Sequence, residues 1–455
     1  MRCKIFTIVL SFVYLYGWGQ QEDSIMIRKI ADDILTNGKA YENLRVLCKT
    51  VGGRVAGSPQ MYKAESWGQK ALQNAGADKV ILQECNVPRW NRGGKDEAHT
   101  INDSKKRSLD ILALGNSVGT GSKGITAPVI MINSFDELDR RQDEIKGKIV
   151  FYNYRFNPLF VKTFNSYADA VKYRGQGPSR AAKYGAVAAL VRSMTHATDN
   201  NPHTGATLYN DSFPKIPAAA VGLKDADILV DIIAKDKNAA LFLKTNANIL
   251  KDTIGHNVIG ELMGSEFPDQ IITVGGHLDS WDPAEGAHDD GAGCVHAIEI
   301  LRVFKAIGYK PKRTIRIVLF ANEENGLRGG TKYAEEAKAK NENHLFALES
   351  DAGGFTPRGF GFTLAIERLQ AIRQWLPLFI PYGVYEFNAG GGGADIGPLN
   401  KAFGTPLAGL QPDSQRYFDL HHARNDVFEA VNKRELELGA INMAALIYMV
   451  DKYGL

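Results

Sequence analysis

Apolar residues recur at helical spacing at Ile27, Ile30, Ala31, Ile34 and Leu35 and predict a helix over 24–35, opened by Ser24. A second helical stretch centres on Trp67 and Leu72, and 80–87 reads as a strand. From Ile125 to about Ala247 the texture changes. Short β-rich pieces at 128–132, 148–152, 188–191 and 217–221 are separated by polar loops and by a helix leading to Tyr184 and Gly185. From Asn257 onward strand-like and helical runs alternate: 270–274 then 291–304, 314–320 then 331–338, then 345–348. Such alternation predicts an α/β fold, a mixed and mostly parallel sheet sandwiched by helices. The glycine-bearing stretch 119–124 reads as a junction. The expected organisation is a first part at 20–118, a β-rich insert at 119–250 and a second part at 251–455, with 1–19 set apart.

Residues 1–19 carry Arg2 and Lys4, an apolar run over 5–16, and then Gly17, Trp18 and Gly19. That pattern predicts a cleaved secretory signal, too short for a comfortable span. No other stretch approaches the roughly 20 apolar residues a transmembrane helix needs. A secreted or periplasmic protein with no membrane contact after cleavage is expected. With 455 residues, 44% of them hydrophobic, the chain can bury a large core. Lys+Arg 54 against Asp+Glu 51 is too balanced to imply a nucleic-acid partner. Cys3 leaves with the signal. Cys48, Cys85 and Cys294 remain, an odd set in which a Cys48–Cys85 bridge is open and Cys294 reads as a small buried helix residue.

Five positions read as one two-metal site: His277 in GGHLDS, Asp289 in AHDDGAG, Glu324 in FANEENG, Asp351 in LESDAGG and His422 in LHHARND. Each lies at the end of an apolar run or beside glycine, where loops at a sheet edge hold ligands. Zinc takes imidazole and carboxylate, and a pair of zinc ions needs one carboxylate able to bridge. If Asp289 bridges, each ion keeps one histidine and one further carboxylate. Two such ions would acidify a shared water and polarise a carbonyl, which is equipment for amide hydrolysis. Glu323, beside Glu324, is the candidate general base. Asp279, two residues after His277, can accept the imidazole's second N–H. Asp426 can do the same for His422 or cap a helix. His421 is adjacent to His422, and the pattern alone leaves the two interchangeable. His256, His288 and His296 receive no metal role.

GGHLDSWD, GAHDDGAG, ANEENGLRGG, SDAGG and HHARND, in this order, resemble the co-catalytic di-zinc exopeptidases, the family of aminopeptidases and glutamate carboxypeptidases. The resemblance extends to RVAGSP near the start, GGGADIGPL late, and the insert, which is similar to a protease-associated domain. It implies two Zn²⁺ ions, one on His277 and Asp351 and the other on Glu324 and His422, with Asp289 bridging and Glu323 as proton shuttle. The family's His-x-x-x-acid pattern selects His422, because Asp426 follows it by four. The resemblance also implies a cis Asp289–Asp290 bond and a homodimer. His288 departs from it, filling a slot that is commonly small or uncharged.

The function implied is a secreted exopeptidase acting on short peptides, dipeptides above all. A glutaminyl-cyclase-like acyltransferase, which works with one zinc, and a non-catalytic binding protein are the alternatives. The glycine-rich segment 388–398 is a candidate wall of the substrate site. The insert, without candidate ligands, is expected to fold apart and shape access without supplying chemistry.

Overall fold

The computed structural model describes residues 21–101 and 106–455, so the expected signal at 1–19 lies outside the described residues. Residues 21–37 form a helix around the apolar stripe at Ile27, Ile30 and Ile34. Helix Pro59–Asn74 follows, capped where the Ser58 side chain accepts the Met61 N–H.

The first of two eight-stranded sheets has a parallel centre. Strands Arg313–Phe320, Phe267–His277, Asn343–Glu349 and Leu407–Pro412 run side by side in one direction. Asn248–Leu262 and then Lys79–Asn91 extend one side antiparallel. Pro357–Thr363 pairs antiparallel on the other, and Glu386–Ala389 closes that edge. Alternation along the central strand shows why it reads as a continuous apolar run. Ile315, Ile317 and Leu319 enter one core with Phe304 and Leu446, while Val318 and Phe320 enter another with Tyr333 and Leu399. Helices Ala292–Ala306 and Lys433–Tyr453 supply the first core, and Arg328–Ala339 and Gly397–Phe403 the second. Both faces are covered, as the alternation of elements predicted.

The second sheet takes its strands from 97 to 244, in the order Ser108–Leu109, Glu97–Thr100, Ala240–Lys244, Ile125–Ile132, Ile149–Tyr152, Ala188–Arg192, Ala218–Val221, Ile111–Ala113. Sheet membership therefore changes before the junction expected at 119. Residues 111–113, which fall within the expected first part at 20–118, pair with Ala218–Val221. Cys48, Cys85 and Cys294 are all free and buried, so no Cys48–Cys85 bridge forms. Among the described residues no helix is long and apolar enough to cross a membrane.

Phe346 lies fully buried in the strand between the two central ones and the 407–412 strand. Phe346→Ala is expected to cost about 3–5 kcal/mol of unfolding free energy, measured by denaturant titration. A loss under about 1 kcal/mol would contradict this packing.

Candidate metal centre

The carboxyl ends of the parallel strands share one edge of the first sheet, and the sequence turns polar there. His277 is the last residue of its strand, Glu323 and Glu324 follow Phe320, and Asp351 follows Glu349. Gly276 makes the approach possible. A Cβ at that position would overlap the Asp290 carboxylate and lie 2.9 Å from the Gly293 carbonyl carbon. Asp290 binds both neighbours, its Oδ2 accepting the His277 N–H at 3.0 Å and its Oδ1 the Gly293 N–H at 3.0 Å. Asp426 accepts the backbone N–H groups of His288 and Asp289 at 2.7 and 3.1 Å. The intervening Asp289–Asp290 peptide is cis.

Asp289 is thereby presented to two imidazoles. Its Oδ1 lies 3.2 Å from His277 Nε2 and its Oδ2 3.2 Å from His422 Nε2. His277 Nε2 is 3.5 Å from Asp351 Oδ1, and His422 Nε2 is 2.9 Å from Glu324 Oε2. On each ring the other nitrogen is committed to a backbone carbonyl, His277 Nδ1–H to Asp279 at 3.0 Å and His422 Nδ1–H to Thr204 at 3.2 Å. That network sets the tautomer which leaves both Nε2 lone pairs facing the carboxylates.

The donor set fits divalent cations. Asp289 Oδ2 and Glu324 Oε1 are buried without a hydrogen-bond partner among the described residues. Buried Asp289 and Glu324, with half-buried Asp351 beside them, need positive charge nearby. Protons on the imidazoles supply it one way. Burial disfavours both imidazoliums, yet Asp351 and Asp289 carry His277 well above its usual range, and Glu324 and Asp289 carry His422 up to about 10. Divalent ions between the same atoms supply it the other way. Asp290 also lies near His277 and Asp351, but both its oxygens are taken by backbone N–H groups. His421 stacks on His422 with ring centroids 3.6 Å apart, and its Nε2 is 3.7 Å from Asp289. It approaches one ligand carboxylate at longer range where His422 approaches two.

Two expected supporting roles change. Asp279 meets His277 through its backbone carbonyl, while its carboxylate oxygen is 3.7 Å from that Nδ1. The carboxylate instead accepts the Glu323 and Glu324 N–H groups at 3.0 and 3.3 Å, fixing the turn that carries both side chains. Asp426 serves the 288–289 backbone and neither holds the His422 ring nor caps a helix. Burial, with the charges of Asp351 and Glu324, pushes Glu323 well above the usual carboxylate range.

Residues 257–447 match the model of peptidase family M28. Carboxypeptidase Q of Homo sapiens is 37% identical over 412 residues, 90% of this chain and 85% of that protein. The chain belongs to peptidase family M28. A solved M28 peptidase precursor from Shewanella amazonensis superposes with a TM-score of 0.89 at 30% identity, covering 95% of this chain and 97% of the other. An aminopeptidase from Aneurinibacillus shares the fold at a TM-score of 0.64 and 20% identity, covering 93% and 95%.

In this M28 peptidase one buried arginine holds the metal loops together. Arg54, in the RVAGSP stretch, donates to the carbonyls of Leu278, Glu285 and Gly286, joining the loop after His277 to the one before Asp289. A lone arginine beside glycine gives no hint of this in sequence. His288 is fully used elsewhere. Its Nδ1 accepts the Gly354 N–H, its Nε2 faces the Ala430 carbonyl and its ring stacks on Phe355. Within 388–398, Gly391 approaches Gly361, Gly392 approaches Leu407 and Gly393 approaches Glu349, while Gly390 and Gly397 have nothing within 4 Å.

Asp279→Asn removes one acceptor from the 323–324 turn while keeping the carbonyl bond to His277. It is expected to lower peptidase activity or metal affinity roughly 10- to 100-fold, read by steady-state kinetics and by metal titration. Both within twofold of the wild type would contradict the role given to this carboxylate.

Proposed function

We propose that this M28 peptidase is an exported two-zinc exopeptidase that removes terminal residues from short unblocked peptides, dipeptides above all. The observation that carries the reading is Asp289, whose two oxygens each face the Nε2 of a different histidine. His277 and Asp351 would hold one ion, and Glu324 and His422 the other. Bound there, the pair would activate water and polarise the scissile carbonyl. A one-zinc acyltransferase would need fewer ligands than those converging here. The N-terminal pattern at 1–19 supports export, and the likeness to carboxypeptidase Q supports terminal cleavage.

The chain's own residues supply the remainder. Glu323 takes the proton of the attacking water and returns it to the leaving amine nitrogen. Asp279 holds the Glu323 backbone, and Arg54 holds the loops that bring His277 and Asp289 together. A cavity bordered by Trp281, Pro283, Ala284, Asp289, Glu324 and His422 reaches the bridging carboxylate.

Glu323→Gln is expected to keep its metal and lose roughly 10²–10⁴-fold in turnover, whereas Glu324→Ala loses metal and activity together. Near-normal turnover of Glu323→Gln would remove it as the base. Acetylating the amino end of a good dipeptide is expected to collapse kcat/KM, because the group that reads the charged terminus is left without its partner. Equal cleavage of blocked peptides, or of internal bonds in long chains, would end the exopeptidase reading and leave the hydrolase reading standing.

A further inference from the structure

The second sheet reaches the metal centre from behind. His422 has φ 61°, a left-handed conformation that a residue with a Cβ keeps only when its surroundings impose it. Those surroundings come from the loop at 203–205. Thr204 donates its N–H to the His422 carbonyl at 3.0 Å and accepts the ring's Nδ1–H at 3.2 Å, so one residue fixes both backbone and imidazole. His203, fully buried, donates from Nδ1 to the His421 carbonyl at 2.7 Å. Arg174 donates to the same Thr204 carbonyl at 3.3 Å, with the same nitrogen 3.3 Å from His422 Nδ1, and to the Tyr167 hydroxyl at 2.6 Å. Gly205, at φ +126°, permits the contact, since a Cβ there would lie 2.6 Å from His422 Nδ1 and overlap the Arg174 guanidinium. The loop is anchored in its own sheet, where Thr204 Oγ1 donates to the Ala113 carbonyl at 2.8 Å.

We propose that Thr204, His203 and Arg174 are positioning residues for the metal centre, holding His422 Nε2 toward Asp289 and Glu324. The ion on Glu324 and His422 thus depends on a unit that contributes no ligand. This adds a positioning role to a segment expected to shape access without supplying chemistry, and it rests on the two-zinc reading. Ring orientation fixed from behind is what sets the affinity of a metal-binding histidine, and losing such a partner typically costs 10- to 100-fold.

The test is the rate at which zinc passes from the zinc-loaded full chain to a chelator, with the melting temperature of the metal-free protein measured beside it. Gly205→Ala and Arg174→Gln are expected to release one of two ions roughly 10- to 100-fold faster with the other ion unchanged; the metal-free melting temperature should stay at the wild-type value in Arg174→Gln and fall in Gly205→Ala, where a Cβ is strained at φ +126°. Arg174→Lys, which can still donate to Thr204, should recover part of the loss. Arg424→Gln breaks the half-exposed Arg424–Asp110 pair across the same junction without touching the ring, and should stay within twofold of the wild type. Should Gly205→Ala not fold, Arg174→Gln carries the test. Release at the wild-type rate from both variants, or equal acceleration of both ions, would overturn the proposal alone. A wild type holding fewer than two ions would fail the two-zinc reading and this proposal with it.

Discussion

Asp289 lies buried between two imidazoles, and each of its oxygens faces a different ring at 3.2 Å. A carboxylate at that depth is costly unless opposite charge is held against it. Burial opposes its ionisation, yet the two histidines keep it well below the usual carboxylate range. The parallel sheet brings His277, Glu324 and Asp351 to one edge, while His422 arrives on a loop clasped from the second sheet.

The acidic residues around this point divide by what their oxygens meet. Asp279, Asp290 and Asp426 accept backbone N–H groups and hold loops in place. Asp289 and Glu324 each keep a buried oxygen without such a donor. The first group is scaffolding, and the second is where the two-zinc reading puts its cations. Both imidazoles follow the complementary rule, with Nδ1–H fixed on a carbonyl and Nε2 turned to the carboxylates.

Much of this was legible in the sequence, because strand ends followed by glycine and a metal-type side chain form a local pattern. The 267–277, 313–320 and 343–349 strands and the residues after them are of this kind. Less local features were hidden. Strand Pro357–Thr363 alternates glycine and phenylalanine, and Leu407–Pro412 is short, so neither carries a clear β signal, although both complete the sheet. Ile111–Ala113 joins the second sheet through a partner more than a hundred residues on, at Ala218–Val221, which no local pattern marks. Arg54, Arg174 and Thr204 act through backbone carbonyls, which any sequence supplies and no side-chain pattern marks. Asp279 was recognised as a supporting residue, but its spacing could not tell whether carbonyl or carboxylate would meet the ring.

The most direct measurement is the metal content of the purified chain and of Asp289→Ala, by elemental analysis after gel filtration in metal-free buffer. The account expects two zinc ions per wild-type chain and loss of both in the variant, since one side chain faces both histidines. A wild type with one ion or none, or an Asp289→Ala protein that kept both, would contradict it.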